Sequence, residues 1–133
     1  MATPPCYCAA LRVAARKTTA IYDEARAPAG IGVAQFSLLR KIERGGKLSL
    51  SELGRIASLD RSTIGRNIKV LHRMGLIEIG PGADHREATV TLAEGGRAAL
   101  RDGAPLWKAA QDRIEAALGE GGARELRTLL AAL

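Results

Sequence analysis

The sequence predicts a mainly α-helical fold with one small two-stranded β-hairpin, and three observations support this. Apolar residues recur at helical spacing along most of the chain of 133 residues. The spacing changes to alternation over residues 76–79 and 88–92, which are typical of short strands. Aromatic residues make up 3% of a chain that is 47% hydrophobic, so small aliphatic side chains must form the core, which suits closely packed helices. We expect a single domain at this length.

Two helices are predicted at the start of the chain, over residues 8–25 and about 33–44. Pro28 and Gly30 end the first helix because proline cannot continue a helix and glycine favours its terminus. The second helix is expected to bury one apolar face, formed by Phe36, Leu39 and Ile42.

A pair of shorter helices follows, over residues 49–58 and 61–74. Ser49 and Glu52 have the spacing of a capping box, in which a hydroxyl and a carboxylate satisfy free backbone amides, so the first of the pair begins there. It is predicted to bury Leu53, Ile56 and Ala57. Asp60 is a typical N-cap for the second, which ends at Gly75. Its inward face carries Ile64, Ile68 and Leu71.

The end of the chain returns to helical spacing after the two strands. The strands are joined by the loop GPGADHRE, which is longer than a tight turn requires. From Glu94 onward we predict helix, with a kink or break near residues 103–105 because Gly103 and Pro105 lie there. Glycines from Gly119 onward separate a last helix, at about 123–133.

The charge of the chain favours a polyanionic partner. Lys and Arg number 20 against 14 Asp and Glu, which gives a formal net charge of +6. The excess lies in residues 1–86, whereas residues 87–133 are slightly acidic. A mildly basic soluble domain without such a partner remains the alternative on charge alone.

The order helix (49–58), tight connection, helix (60–74), strand, long loop, strand is typical of a winged helix-turn-helix. In this module the second helix docks by an apolar face and presents hydrogen-bond donors to the DNA major groove on the other. Arginine can bind a guanine edge, asparagine an adenine edge, and serine or lysine a phosphate. Gly65 costs roughly 1 kcal/mol of helix stability relative to alanine, and a close approach to DNA or a neighbour would explain it. The candidate DNA-binding residues of this helix are Arg61, Ser62, Thr63, Arg66, Asn67, Lys69 and Arg73.

A basic helix face alone is more often an ordinary solvated surface than a DNA-binding one. The hairpin that follows the helix favours the DNA-binding interpretation. Its tip carries Asp84, His85 and Arg86 in a Gly/Pro-rich loop. A single arginine at such a tip can enter an A·T-rich minor groove, and Asp84 can orient Arg86 through a local ion pair. His85 and Arg86 are therefore further candidate DNA-binding residues, with Asp84 supporting the wing.

From about Leu48 to Leu100 the chain resembles the MarR (multiple antibiotic resistance regulator) winged-helix repressors. The resemblance lies in LSLSELGRIASLDRSTIGRNIKVLHRMGLIE, in the D-x-R pattern of Asp84 and Arg86, and in VTLAEGGRAAL. It implies an intertwined homodimer that reads a pseudo-palindromic double-stranded operator and is released by a small-molecule or oxidant signal. Residues 1–45 and 94–133 would then be dimerisation helices, and 46–93 the DNA-binding lobe. Ala93 departs from the family, where Thr or Ser often caps the helix after the wing, so we expect a slightly less stable helix end.

Self-association is also indicated by the residues themselves. Two apolar stripes lie on helices outside the predicted lobe, and a large exposed apolar surface normally marks an interface. The stripes are Leu106, Ala110, Ile114 and Ala117, and Leu126, Leu129, Leu130 and Leu133. We favour an interface with a second copy; the alternative is that the stripes pack on the first helix of the same chain.

The signal that controls the protein is not named by any residue. The family often binds small aromatic acids between dimer helices and lobe, so an effector of that kind is expected. Cys6 and Cys8 are candidate redox-sensing residues near the place where peroxide sensors of the family carry a reactive cysteine, and a helix N-terminus lowers a thiol pKa. However, helical residues two apart point in different directions, so the two cysteines are poorly placed to share a metal ion. The second predicted helix, AQFSLLRKIE, also lacks the tyrosines that partner the sensors' cysteine. We therefore favour a structural or incidental role for both cysteines.

Other classes of protein fit less well. The two histidines, His72 and His85, have no cysteine nearby, and no Gly-rich phosphate loop, HExxH motif or carboxylate pair occurs, so we expect neither an enzyme nor a metal or cofactor. A basic architectural nucleic-acid-binding protein without an effector is the alternative, although sparse aromatics argue against stacking on single strands. The chain has no long apolar run, no signal-like order of charges and no disulfide framework, so we expect a cytoplasmic location and no membrane partner.

Overall fold

The computed structural model describes residues 2–82 and 87–133. Within these two ranges, six helices and three strands follow one another, with a short 3₁₀ turn at Ala27–Ala29. They are α1 (Tyr7–Arg26), α2 (Val33–Gly45), β1 (Leu48–Ser49), α3 (Leu50–Ala57), α4 (Arg61–Arg73), β2 (Ile77–Pro81), β3 (Ala88–Leu92), α5 (Glu94–Leu118) and α6 (Glu120–Ala131).

The core lies where α2, α3 and α4 pack on the sheet. The predicted inward faces of α2 and α4 are buried, and so is Leu53 of α3, whereas Ala57 is half-buried. Burying each Leu or Ile side chain contributes roughly 1.5–3 kcal/mol, so this cluster fixes how the helices are rotated about their axes. Among the described residues, the largest fully buried aliphatic side chains are Leu39, Ile42, Leu53, Ile64, Leu71, Ile77 and Val90.

The sheet has three antiparallel strands in the order β1-β3-β2, and not the two that the sequence predicts. Strands β2 and β3 pair from Ile77 opposite Leu92 to Pro81 opposite Ala88. The additional strand, β1, adds Leu48 opposite Val90 and Ser49 opposite Thr89. Two residues are too few to show a periodicity, so this strand could not be predicted from a pattern.

The predicted helix boundaries in the middle of the chain are confirmed. Ser49 Oγ accepts from the backbone N–H of Glu52 at 3.1 Å, and the Glu52 carboxylate accepts from that of Ser49 at 3.2 Å. Asp60 caps α4, and Gly75 takes a φ of +74° just after it, a conformation that glycine adopts without strain. Ala93 supplies no side-chain cap to α5, as expected from its methyl group.

Helix α5 runs unbroken from Glu94 to Leu118 with Pro105 inside it, so of the kink or break expected near residues 103–105 the break does not occur. Gly103 instead makes room for Arg26, which is fully buried and donates from Nη1 to the Gly103 carbonyl at 3.1 Å. A Cβ at position 103 would lie 2.7 and 2.9 Å from the Arg26 guanidinium nitrogens and 2.9 Å from Phe36. Burial lowers the pKa of Arg26, against the opposing effect of the Asp23 charge.

The terminal helices form a second layer that packs mainly on itself. Helix α1 packs along α5, and α6 packs against α5. The α5 stripe is partly covered within the chain: Ala110 is buried and Leu106 and Ile114 are half-buried, which agrees with the alternative interpretation for these three, whereas Ala117 is exposed. The α6 stripe is exposed, and α6 begins at Glu120 rather than at about residue 123. Within the described ranges, no helix combines the length and apolar character needed to cross a bilayer.

Candidate nucleic-acid interface

Helix α4 begins at a strong cap. Asp60 Oδ1 accepts from the backbone N–H of Thr63 and from the hydroxyl of Ser62, each at 2.8 Å. These hydrogen bonds, the backbone one first, lower the pKa of the Asp60 carboxyl to about 2. The Ser62 hydroxyl, a predicted DNA contact, therefore also supports the start of the helix.

The buried face of α4 determines what its other face offers. Because Ile64, Ile68 and Leu71 point into the core, the residues between them point away from it. Of the seven DNA-binding residues predicted on α4, Arg61, Ser62, Arg66, Lys69 and Arg73 are exposed, and Thr63 and Asn67 are half-buried. The helix itself carries no acidic residue, so every charged side chain that it contributes to this surface is positive.

Gly65 lies between these exposed side chains, and packing does not require a glycine there. A Cβ at this position would meet no atom within 4 Å among the described residues. The helix surface is therefore bare at Gly65, which agrees with the prediction of a close approach from outside.

The residues predicted to act in the wing lie outside the part of the chain that the structure describes. Asp84, His85 and Arg86 belong to the tip, which follows Gly82 and precedes Glu87. Their roles stay predictions. At the base of the hairpin, β2 and β3 remain paired to Pro81 opposite Ala88, so the chain enters and leaves the tip at adjacent points.

Glu87 was missed by the sequence analysis, although it joins the hairpin to both helices of the lobe. Its Oε1 accepts from the N–H and hydroxyl of Ser51 at 2.8 and 2.6 Å, and lies 3.8 Å from Nη2 of Arg61. Hydrogen bonds from the Ser51 hydroxyl and backbone, and then the Arg61 charge, lower the pKa of the Glu87 carboxyl. The contact depends on β1, so no local pattern in the sequence reveals it.

A cavity of about 650 Å³ separates the lobe from the terminal helices. Residues of α1, α2, α3 and α5 line it, and Ile56 is the residue that α3 contributes. The prediction that Ile56 is buried in the core is wrong, because this residue is 47% exposed. Among the described residues the lining includes three cations and no carboxylate. The cations are Arg40, Lys41 and Arg44, and the aromatic side chains are Tyr22, Phe36 and Trp107.

The charges in this cavity are poorly compensated. Burial first, and then the charges of Arg44 and Arg40, lower the pKa of Lys41. Lys41 donates to Ser37 Oγ at 2.7 Å, and the Arg40 guanidinium lies 4.5 Å from the centre of the Trp107 ring. The cavity can therefore accept an anion with an aromatic body.

The cysteines lie apart from these sites. Cys6 is the residue just before α1 and Cys8 is in its first turn, and both are exposed free thiols. Their candidate redox role stays a prediction. In the part of the chain that the structure describes, no group of three His, Cys, Asp or Glu side chains is placed to hold a metal ion.

A helix pair followed by an antiparallel hairpin, with a positive outer face on the second helix, defines a winged helix-turn-helix protein. The chain belongs to the MarR family, whose model matches residues 29–87. It is 35% identical to the M. tuberculosis transcriptional regulator MosR in complex with DNA, over 96% of both chains, with a TM-score of 0.85. A second structure of M. tuberculosis MosR is 34% identical, over 98% of this chain and 97% of that one, with a TM-score of 0.81.

The fold extends to more distant structures. A mutant of MarR from E. coli complexed with operator DNA has a TM-score of 0.86 at 23% identity, over 92% of this chain and 89% of that one, which is a likeness of fold. A comparison with curated proteins finds no match.

Proposed function

We propose that this protein is a regulator of transcription that binds specific double-stranded DNA as a homodimer. The exposed positive face of α4 carries this proposal, because the buried face opposite it fixes the rotation of the helix. Arg66 and Asn67 are assigned to base edges, and Arg61, Ser62, Thr63, Lys69 and Arg73 to phosphates and neighbouring bases. Supporting this, MosR at 35% identity was crystallised with DNA.

The wing completes the proposed interface. We assign Arg86 to the minor groove beside the α4 site, with Asp84 bracing it and His85 near the backbone. The pairing of β2 and β3 as far as Pro81 opposite Ala88 supports this assignment, since a paired hairpin base is what a wing requires.

The dimer is proposed to form through the terminal helices, residues 1–45 and 94–133, leaving residues 46–93 as the DNA-binding lobe. Large apolar side chains on α1, at the end of α5, and on or just after α6 are exposed in the single chain, and water contact with such a surface is unfavourable. They are Tyr7, Leu11, Val13, Leu118, Leu126, Leu129, Leu130 and Leu133. Two lobes held by this interface would read the two halves of a pseudo-palindrome.

We further propose repression that an aromatic acid relieves by entering the cavity between lobe and terminal helices. Arg40, Lys41 and Arg44 would bind its carboxylate, and Trp107 and Phe36 its ring. An occupant there contacts α3 and α5 together, so it can bias the angle between the lobe and the dimer helices. Oxidation of Cys6 and Cys8 is the alternative signal, and their exposure makes both thiols accessible to an oxidant.

Selection of duplexes from a random pool tests the DNA-binding function. We expect a consensus with two half-sites about one helical turn apart, and an affinity that falls steeply with salt because phosphate contacts release counterions. Equal affinity for all duplexes would support the architectural alternative and contradict specific regulation.

Addition of benzoate to the complex tests the cavity. We expect it to release the selected duplex from the wild type but much less from Arg40→Ala or Lys41→Ala. Arg101→Ala removes an exposed cation of α5 outside the cavity lining and serves as the control. Release that is equal in all variants would place the effector site elsewhere.

A further inference from the structure

One carboxylate oxygen brings together three elements of the proposed DNA-binding lobe. Glu87 precedes β3, Ser51 lies in the first turn of α3, and Arg61 begins α4. Glu87 Oε1 accepts both hydrogen bonds from Ser51 and lies 3.8 Å from Arg61 Nη2, while Arg61 Nη1 lies 3.5 Å from Ser51 Oγ. A shift of the hairpin base would therefore disturb both helices.

The register of the sheet explains why these residues meet. Leu48 pairs with Val90 and Ser49 with Thr89, so the same register, continued for two residues, sets Ser51 opposite Glu87. The backbone has already entered α3 at Ser51, so strand pairing cannot continue through main-chain groups. The Glu87 side chain replaces that pairing and attaches the start of β3 to the first turn of α3.

The charge of Glu87 gives DNA binding no direct advantage. Its carboxyl pKa is lowered, so it is ionised at neutral pH, and an anion beside the α4 surface repels phosphates. The Arg61 side chain, in contrast, is 73% exposed and would lose much rotamer freedom on binding a single site. Any favourable effect of Glu87 on DNA binding must therefore come from how it positions the residues that it contacts.

We propose that Glu87 is a positioning residue for sequence discrimination: it fixes the hairpin base against α3 and holds Arg61 in one orientation at the start of α4. The proposal rests on the proposed DNA-binding function. It requires no contact between Glu87 and DNA. Loss of the carboxylate is expected to weaken binding to the selected duplex while leaving, or strengthening, binding to unrelated DNA.

The test measures dissociation constants for the selected duplex and for a scrambled duplex of equal length at one salt concentration. We expect Glu87→Ala to lower the ratio of the two affinities about tenfold, the effect of losing one charge-assisted hydrogen bond. Glu87→Gln should restore most of the ratio, because its amide oxygen still accepts from Ser51. Glu78→Ala removes the same charge from an exposed position on β2, and should change both affinities by the same factor.

The measurements distinguish failure of the positioning role from failure of the proposed DNA-binding function. An unchanged ratio in Glu87→Ala, with equal melting temperatures for both alanine variants, overturns the positioning role and leaves DNA binding intact. A wild type that does not discriminate between duplexes overturns the proposed function, and this proposal with it. Without DNA, an NMR titration should find the Glu87 pKa below its ordinary value and raised by Ser51→Ala; an ordinary wild-type value would contradict the contact itself.

Discussion

At the scale of single residues, one carboxylate, Asp60, determines where α4 begins. Its Oδ1 accepts hydrogen bonds from the backbone N–H of Thr63, in the first turn of the helix, and from the Ser62 hydroxyl. The anion also lies at the positive end of the helix dipole. The identity of this residue therefore affects both the stability of α4 and the orientation of Ser62.

Two replacements of Asp60 should distinguish the stabilising effect of its capping hydrogen bond from that of its negative charge. The folded carboxyl has a pKa of about 2 against an ordinary 3.8, so its stabilising effect is complete above pH 3.8 and is lost as pH falls towards 2. Asp60→Asn should keep most of the neutral-pH melting temperature, because asparagine also caps, but lose this part of the acid dependence. Asp60→Ala should lower the melting temperature at neutral pH. Identical acid profiles for wild type and Asp60→Asn would contradict the shifted pKa.

Arg66 is the residue whose loss should most affect base recognition. It is exposed in the middle of the α4 face, and its Nη2 lies 3.4 Å from Thr63 Oγ1, which steadies the guanidinium. Arg66→Ala should cost on the order of 1–3 kcal/mol of binding to the selected duplex. Arg16→Ala removes the same charge from α1 and is the control in an anisotropy titration. Equal affinities of the two variants would remove Arg66 from base readout.

At the scale of elements, local patterns predict α3 and α4 well, because caps and apolar periods act within a few residues. Their boundaries and the inward face of α4 follow from Ser49, Asp60 and the spacing of Ile64, Ile68 and Leu71. The exposed face of α4 is then predicted as well. Features that depend on distant residues could not be predicted in this way. Strand β1 exists only through its pairing with β3, and the cavity needs four helices to form its walls.

Helix α5 shows the same limit, and it gives a prediction of its own. The sequence suggested that Gly103 interrupts a helix, whereas the glycine accommodates the buried Arg26 side chain. Gly103→Ala should therefore destabilise the protein by about 1–3 kcal/mol, because the added methyl group overpacks this contact. Gly121→Ala, at a helical position where a Cβ meets nothing within 4 Å among the described atoms, should instead stabilise it by about 0.5–1 kcal/mol.

Urea denaturation measures both glycine variants. A smaller penalty for Gly103→Ala in an Arg26→Ala background would attribute the effect to the guanidinium, since the two residues are in direct contact. Gly103→Ala and Gly121→Ala with the same stability would mean that position 103 is not constrained by Arg26.

At the scale of the whole molecule, charge and apolar surface lie on different parts of the chain. The positive face belongs to α4 in the middle of the sequence, whereas four exposed leucines, Leu126, Leu129, Leu130 and Leu133, lie on α6 or just after it. A single chain would leave those leucines in water, while a single lobe would contact one half-site only. Burial of the exposed leucines against a second copy would place two positive α4 faces on one duplex. Dimerisation and DNA affinity would then be coupled.

Replacement of Leu130 tests that coupling. Its side chain is 45% exposed in the single chain, and burial against a partner would gain about 25 cal/mol per Å² of apolar area. Leu130→Asp would place an unpaired charge in the interface, so light scattering after size exclusion should show monomer or aggregate, and affinity for the two-half-site duplex should fall with it. Thr128→Asp adds the same charge to α6 beside the apolar stripe and should remain dimeric. A stable dimer with full affinity in Leu130→Asp would locate the interface elsewhere, and the exposed face of α1 around Leu11 and Ala15 would then be the surface to replace next.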